Sequence, residues 1–305
     1  MQKKIFTNTL FVVLAALLCT ALWGSATPFI KTGYKLMLPH GGVPSTLLFA
    51  GVRFALAGLL TILIYSIGRK KVLYPKKENL SKVLIVSVFQ TILQYLFFYV
   101  GLANTTGVKG TVISGSSAFF AILVASIIFR QEKLTFKKIF ACILGFSGII
   151  LINLNGLDFN MNFFGDAFVL FSTISLAVSS VLIKKYSKFE DPVVISGYQF
   201  IVGGLVMIIT GALTGGHIIV NSGASLGVLI YLAFLSAIAY ALWGILLKHN
   251  KVSKVTIFSF MTPVFGVILS KLMLTEQSGV TTLNLVITLV LICSGIIMLN
   301  YSKEK

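Results

Sequence analysis

Arg53 is the charged side chain whose position points most directly to chemistry. It stands inside a long apolar stretch, and an arginine near the centre of a membrane helix costs about 2.5–3.5 kcal/mol on insertion scales. A substrate carboxylate, helix carbonyls or a neighbouring side chain could offset that cost. The apolar stretches contain no Asp or Glu as an obvious partner, so these alternatives stay open.

Aromatic, amide and hydroxyl side chains also recur at helical spacing, which places them on common helix faces. The residues are Gln90 and Gln94 with Tyr95 and Tyr99 in one stretch, and Ser236, Tyr240 and Trp243 in another. Such stripes suit a small ligand with an apolar or cationic part. Helix packing and an interfacial aromatic belt are the alternatives.

The sequence thus predicts a set of substrate-binding residues that are polar or aromatic and stand inside apolar stretches. They are Trp23, Arg53, Gln94, Tyr95, Tyr99, Ser117, Gln199, Tyr240 and Trp243. For Ser117, which belongs to a ridge of small residues, helix packing is the favoured role. No catalytic residue, metal ligand or cofactor is predicted, because the chain has no HExxH motif, embedded Asp pair or P-loop.

The composition defines the elements that must position these residues. The chain has 305 residues, 57% hydrophobic and 11% charged, whereas a soluble domain has about 25% charged residues. Its apolar blocks are long enough to cross a bilayer as helices. The pattern predicts an all-α integral membrane protein with ten helices, at about 9–30, 45–67, 83–103, 110–129, 139–154, 165–183, 192–214, 225–247, 255–274 and 281–301.

The residues that give the net charge of +17 are distributed in agreement with these helices. Twenty Lys and Arg residues fall in the segments on one side of the predicted membrane, four in segments or helix ends on the other, and Arg53 within a helix. Cytoplasmic loops carry such an excess. We therefore predict a multi-pass protein of the cell inner membrane with both termini cytoplasmic, and no nucleic-acid binding.

Motifs in the first part of the chain recur near its end. Ser147-Gly148-Ile149-Ile150 matches Ser294-Gly295-Ile296-Ile297, and Gly51-Val52-Arg53-Phe54 matches Gly197-Tyr198-Gln199-Phe200. Thr91 and Tyr95 match Ser236 and Tyr240, and Glu132 matches Glu276; all offsets lie between 144 and 147. The pattern predicts two repeats, 1–157 and 158–305. Because each contains five helices, the second is inverted in the membrane, a recurring plan of transporters.

Short stretches in a fixed order along both repeats carry a family resemblance. They are Leu22-Trp23-Gly24-Ser25, Arg53-Phe54, Glu132-Lys133-Leu134-Thr135, Gly145, Gly148, Tyr198-Gln199, Ala239-Tyr240-Ala241-Leu242-Trp243, Thr262-Pro263-Val264 and Glu276. In these stretches the sequence resembles an EamA-type member of the drug/metabolite transporter superfamily over nearly its whole length. It departs from the usual family pattern at three places: the Ala118-Phe119 region stands where a Pro is common, and Gln131 and Thr275 stand where a Gly is common before the acidic residue.

The resemblance implies ten helices around a central cavity and transport of small metabolites, often amino acids or amines. It also favours a structural or gating role for Arg53, because Arg-Phe recurs across the family. We predict a secondary transporter working by alternating access, with export of an amino acid or related compound as the main hypothesis. Import of a quaternary amine and a non-transporting sensor or scaffold are the alternatives. The predicted partners are a small-molecule substrate and the lipid bilayer; a coupling ion and the oligomeric state stay open.

Overall fold

Ten long helices, preceded by a short helix at Gln2–Thr7, form the computed structural model, which describes residues 2–38, 41–154, 162–273 and 281–301. Each of the ten is long and apolar enough to cross a membrane. In chain order they are α1 (Thr9–Met37), α2 (Val43–Gly68), α3 (Lys77–Ala103), α4 (Gly107–Ile128), α5 (Phe136–Asn153), α6 (Phe163–Tyr186), α7 (Pro192–Leu213), α8 (Gly223–His249), α9 (Val252–Met273) and α10 (Thr282–Asn300). The predicted number and order of the helices are confirmed.

The largest difference from the predicted boundaries is in α1, which continues seven residues beyond the predicted end at residue 30. Pro28 lies inside this helix, and the Thr32 hydroxyl donates to the Pro28 carbonyl oxygen over 3.0 Å. Lys31 and Lys35 occupy the last turns. Lysine is a good helix former, so the polar composition that marked the end of the apolar block did not mark the end of the helix.

Helices α2 and α7 make a close backbone contact at glycines. A Cβ atom on Gly51 would lie 2.9 Å from the Gly204 carbonyl oxygen, and one on Gly58 would lie 2.5 Å from that of Gly197. Later residues of α2 thus meet earlier residues of α7, so the two helices run antiparallel. The repeat offset of 146 converts the pair Gly51–Gly204 into the pair Gly197–Gly58, as a two-fold axis between inverted halves requires.

The same relation holds at α5 and α10. Gly148 faces the Thr288 carbonyl oxygen, and Gly295 faces that of Ala141. An offset of 147 converts one contact into the other. Elsewhere α1 packs on α8 and α9, while its counterpart α6 packs on α3 and α4. The described residues therefore form two five-helix halves, α1–α5 and α6–α10, related by an axis in the membrane plane. The predicted division between residues 157 and 158 lies outside the described residues.

Three helices depart from regular α-geometry. A π-helical turn spans Val88–Leu93 in α3, another spans Val124–Ile128 in α4, and a 3-10 turn spans Ile257–Phe260 in α9. Single π-helical turns are frequent at functional sites. The α3 turn contains Gln90 and Thr91, and it lies one turn before the predicted aromatic stripe.

Ion pairs and carboxylate contacts connect helix ends of different halves. At the face where α1 begins, here called the N-terminal face, Glu132 Oε2 accepts from Lys138 Nζ over 2.8 Å and from the Ser253 hydroxyl over 2.5 Å. Arg69 of the α2–α3 loop also pairs with Asp191 before α7. At the opposite face, Asp166 pairs with Lys109 over 3.5 Å. Glu276, the repeat counterpart of Glu132, lies outside the described residues.

Candidate substrate site

A contiguous cluster of aromatic side chains occupies the centre of the helix bundle. The Trp23 ring from α1 lies 4.9 Å from the Trp243 ring and 5.0 Å from the Tyr240 ring, both from α8, between centroids. Tyr95 and Tyr99 from α3 have centroids 6.0 Å apart. Five of the nine predicted residues thus belong to this group, hereafter the aromatic cluster: Trp23, Phe54, Tyr95, Tyr99, Phe200, Tyr240 and Trp243.

Residues at equivalent positions of the two repeats meet inside the aromatic cluster. The hydroxyl oxygens of Tyr95 and Tyr240 are 3.0 Å apart, and the rings of Phe54 and Phe200 stack with centroids 5.0 Å apart. Two copies of one position can touch each other only close to the axis that relates them. The aromatic cluster therefore lies on the axis between the two inverted halves.

Arg53 lies beside the aromatic cluster and is 4% exposed. Its guanidinium carbon is 4.3 Å from the centroid of the Phe54 ring, a distance suited to a cation–π contact. The buried Nε and Nη1 atoms have no hydrogen-bond partner. The Tyr95 hydroxyl makes a hydrogen-bond contact with the Arg53 side chain, and the Tyr99 and Tyr240 hydroxyls lie close enough to interact with its charge.

Gln199, the repeat counterpart of Arg53, is fully buried and is held by α3. The Thr91 hydroxyl donates to Gln199 Oε1 over 2.6 Å, while Gln199 Nε2 has no partner. Gln94 lies beside the Tyr240 hydroxyl, and its own Oε1 atom is buried without a partner. Each of these two amides thus has one buried polar atom that the protein itself does not satisfy.

Ser117 contacts a different helix. Its hydroxyl lies 3.4 Å from that of Ser259, so it joins α4 to α9, another pair of equivalent helices. This contact agrees with a packing role, and substrate binding by Ser117 stays a prediction.

Sequence reasoning did not include Phe200 or Thr91 among the candidate residues. Phe200 closes the aromatic cluster through contacts with Phe54 and Tyr240, and Thr91 holds Gln199. The signal was present in the repeat alignment, in which Phe54 matches Phe200 and Thr91 matches Ser236. Residues that match across an inverted repeat and stand near the middle of their helices are candidates for positions on the two-fold axis.

Ten membrane-spanning helices in two inverted halves, with a polar and aromatic centre on the axis, define the class of membrane transporters. Comparison with known proteins leads to the same class. The chain matches the EamA-like transporter family over residues 10–154 and again over residues 163–301. It therefore belongs to this family of drug/metabolite transporters, and it is not an enzyme.

Curated relatives match over most of their length. An uncharacterized transporter of Archaeoglobus fulgidus is 25% identical over 278 residues, covering 89% of this chain and 92% of its own. An uncharacterized transporter of Synechocystis is 29% identical, with 86% of each chain covered. One crystal structure superposes with a TM-score of 0.78 over 94% of this chain and 97% of its own, at 15% identity, which shows a shared fold.

Proposed function

We propose that the protein is a secondary transporter that exports an amino acid or a related compound across the cytoplasmic membrane by alternating access. The observation that carries this proposal is the contact between Tyr95 and Tyr240, which are equivalent in the two halves. The axis that exchanges the two inverted halves also exchanges the two membrane faces, so a site on this axis has equivalent surroundings toward each face. Exchange of conformation between the halves would then move its access from one face to the other.

The buried charge favours an amino acid over a quaternary amine. An aromatic cluster alone would suit either compound, because rings bind cations as well as apolar groups. Arg53 lies beside this cluster with two unpartnered nitrogens, and a second cation there would meet like-charge repulsion. The carboxylate of an amino acid would meet attraction instead.

The proposed direction and orientation rest on the sequence. Export is the direction that the family resemblance favours. The excess of Lys and Arg at the N-terminal face favours a cytoplasmic location for both termini in the cell inner membrane. The ten successive spans of the described residues reverse direction nine times, so assigning one loop to a side of the membrane assigns every other loop.

Transport assays with the purified protein in liposomes test the proposal. Vesicles loaded with unlabelled amino acids are expected to exchange them for radiolabelled amino acids outside, while protein-free vesicles are not. Choline and other quaternary amines form the second arm of the assay. Exchange of amines alone would favour the import alternative, and absence of any exchange would favour a sensor or scaffold.

A further inference from the structure

The two halves differ in charge at one pair of equivalent positions beside the axis. Arg53 in α2 corresponds to Gln199 in α7, within Gly51-Val52-Arg53-Phe54 and Gly197-Tyr198-Gln199-Phe200. Both side chains are at least nine-tenths buried. The site thus carries one buried positive charge, placed on one side of a nearly symmetric arrangement.

The surroundings of the two residues differ as well. Gln199 is hydrogen-bonded by Thr91 of α3. The symmetric contact would join Arg53 to Ser236 of α8, but the Ser236 hydroxyl donates to the Leu232 carbonyl oxygen of its own helix. Arg53 Nε and Nη1 are left without a protein partner, although an unpaired buried donor is costly.

The acidic residues among the described residues stand at or beside helix ends, whereas Arg53 stands inside α2. Glu132 and Asp166 pair with lysines at opposite faces of the bundle. Glu190 accepts from the Asn79 amide, and Asp191 pairs with Arg69, at the N-terminal face. None of the ion pairs among the described residues includes Arg53, so the protein supplies no counter-charge for it there.

Two further buried donors of the site residues have no partner. Trp23 Nε1 and Gln199 Nε2 are buried without partners, and Trp23 contacts Tyr240 within the aromatic cluster. A guanidinium stacked on a ring still presents its N–H groups in its own plane, and this group binds carboxylates well. A single buried cation among apolar rings matches one monovalent anion that carries an apolar group.

We propose that Arg53 binds the carboxylate of the transported compound, and that the substrates are small monocarboxylates whose apolar part packs on the aromatic cluster. This inference rests on the proposed transport function. Among the related compounds that the proposal includes, it favours monocarboxylates without an ammonium group over zwitterionic amino acids. Arg53 is then a specificity-determining residue, because neutral and cationic compounds of the same shape leave its charge unbalanced.

Matched ligands of one shape test the carboxylate preference in the wild-type protein. Phenylacetate, phenylacetamide and phenethylamine share a ring and differ in charge, as do hexanoate, hexanamide and hexylamine. The acids are expected to bind about tenfold to hundredfold more tightly than the amides, the range of a charge-assisted hydrogen bond, in equilibrium binding to detergent-purified protein. Failure of both acids to bind, equal binding of acid and amide, or tighter binding of the amines would overturn the proposal.

The variant Arg53→Gln gives the first half the residue that the second half already has. It is expected to lose the preference for acid over amide, and Arg53→Lys is expected to retain part of it. Lys71→Gln removes the same charge from an exposed loop and should keep the wild-type preference. A folded Arg53→Gln protein with the wild-type preference would contradict the role of Arg53. If the Arg53→Gln protein does not fold, the matched ligands on the wild-type protein and the Arg53→Lys variant test the role of Arg53 instead.

Two further measurements distinguish carboxylate binding from general anion binding, and the binding site from the transport function. Chloride at the concentration of the acids distinguishes carboxylate binding from general anion binding, and equal competition by chloride would overturn the carboxylate assignment. Acid preference without flux in liposomes would remove the transport function and leave the binding site. Flux of amino acids without a preference for acids in binding would leave the transport function and remove the carboxylate-binding role of Arg53.

Discussion

At the scale of single residues, the centre of the bundle combines rings that pack with polar atoms that do not pair. Trp23 contacts both Tyr240 and Trp243, so each of these rings is already part of the core. A ligand that enters must therefore replace some of these contacts with its own. The balance between core packing and ligand binding is the property that substitutions at these positions should change.

Truncation of Tyr240 or Trp243 to Ala is expected to weaken substrate binding about tenfold or more, which corresponds to about 1.4 kcal/mol. Each change removes a ring that faces Trp23. The measurement is the affinity for an amino acid that the wild-type protein exchanges, made on folded protein checked by gel filtration. Tyr74→Ala, in an exposed loop, is the matched control. Wild-type transport by both variants would exclude the aromatic cluster from the substrate site.

Tyr240→Phe separates the hydroxyl from the ring. The variant keeps the contacts with Trp23 and Phe200 but loses the 3.0 Å contact with the Tyr95 hydroxyl. Removal of this hydrogen bond is expected to lower the free energy of unfolding by about 0.5–1.5 kcal/mol, and the affinity for the exchanged amino acid should fall less than in Tyr240→Ala. A loss as large as that of Tyr240→Ala would assign the whole effect to the hydroxyl.

At the scale of elements, the halves are joined where equivalent helices cross, and the contact of α2 with α7 depends on glycines. An added methyl group on Gly204 would lie 2.5 Å from the Ala55 backbone nitrogen. Gly204→Ala is therefore expected to cost about 1–3 kcal/mol, as overpacking does, and to lower the thermal midpoint. The matched control is Gly227→Ala in α8, where nothing lies within 4 Å. Equal midpoints for both variants would contradict the close contact.

The buried carboxylate between α4, α5 and α9 makes a second prediction at this scale. The side chains of Glu132 and Lys138 are 2% and 1% exposed. Glu132→Gln leaves the Lys138 charge unbalanced, and breaking such a pair costs about 3–5 kcal/mol. Asp191→Asn breaks the half-exposed pair with Arg69 and keeps a side chain suited to the N-cap of α7, so it should cost about 0–1 kcal/mol. Similar thermal midpoints for the two variants would contradict this difference.

The elements also show how much the sequence could predict. Apolar length and charge alternation gave ten helices in order, because bilayer thickness limits what a membrane helix can be. Repeat matches such as Tyr95 with Tyr240 indicated the inverted plan. The sequence did not predict that α1 continues to Met37 or that α3 contains a π-helical turn at Gln90. Local backbone geometry depends on neighbouring helices, which composition does not encode.

At the scale of the whole molecule, orientation is the property that loop charges determine. Cysteines introduced at Lys71, between α2 and α3, and at Asn221, between α7 and α8, lie in exposed loops of opposite faces. A membrane-impermeant maleimide is expected to label the Asn221→Cys protein in intact cells, and the Lys71→Cys protein only after permeabilisation. The wild-type chain, with three native cysteines, gives the background. The reverse labelling would invert the proposed topology.

The difference between Arg53 and Gln199 has a consequence for how a compound lies in the membrane during its passage. A site with identical residues on both sides of a two-fold axis would accept a rod-shaped molecule in either of two head-to-tail poses. Gln199 is level with Gly58 of α2, five residues beyond Arg53, or about 7 Å along the helix axis. The charged residue lies farther from the N-terminal face. If Arg53 binds the carboxylate as proposed, a bound acid would keep its charged end away from the N-terminal face. In the proposed export it would leave through the opposite face with the charged end first, without turning over.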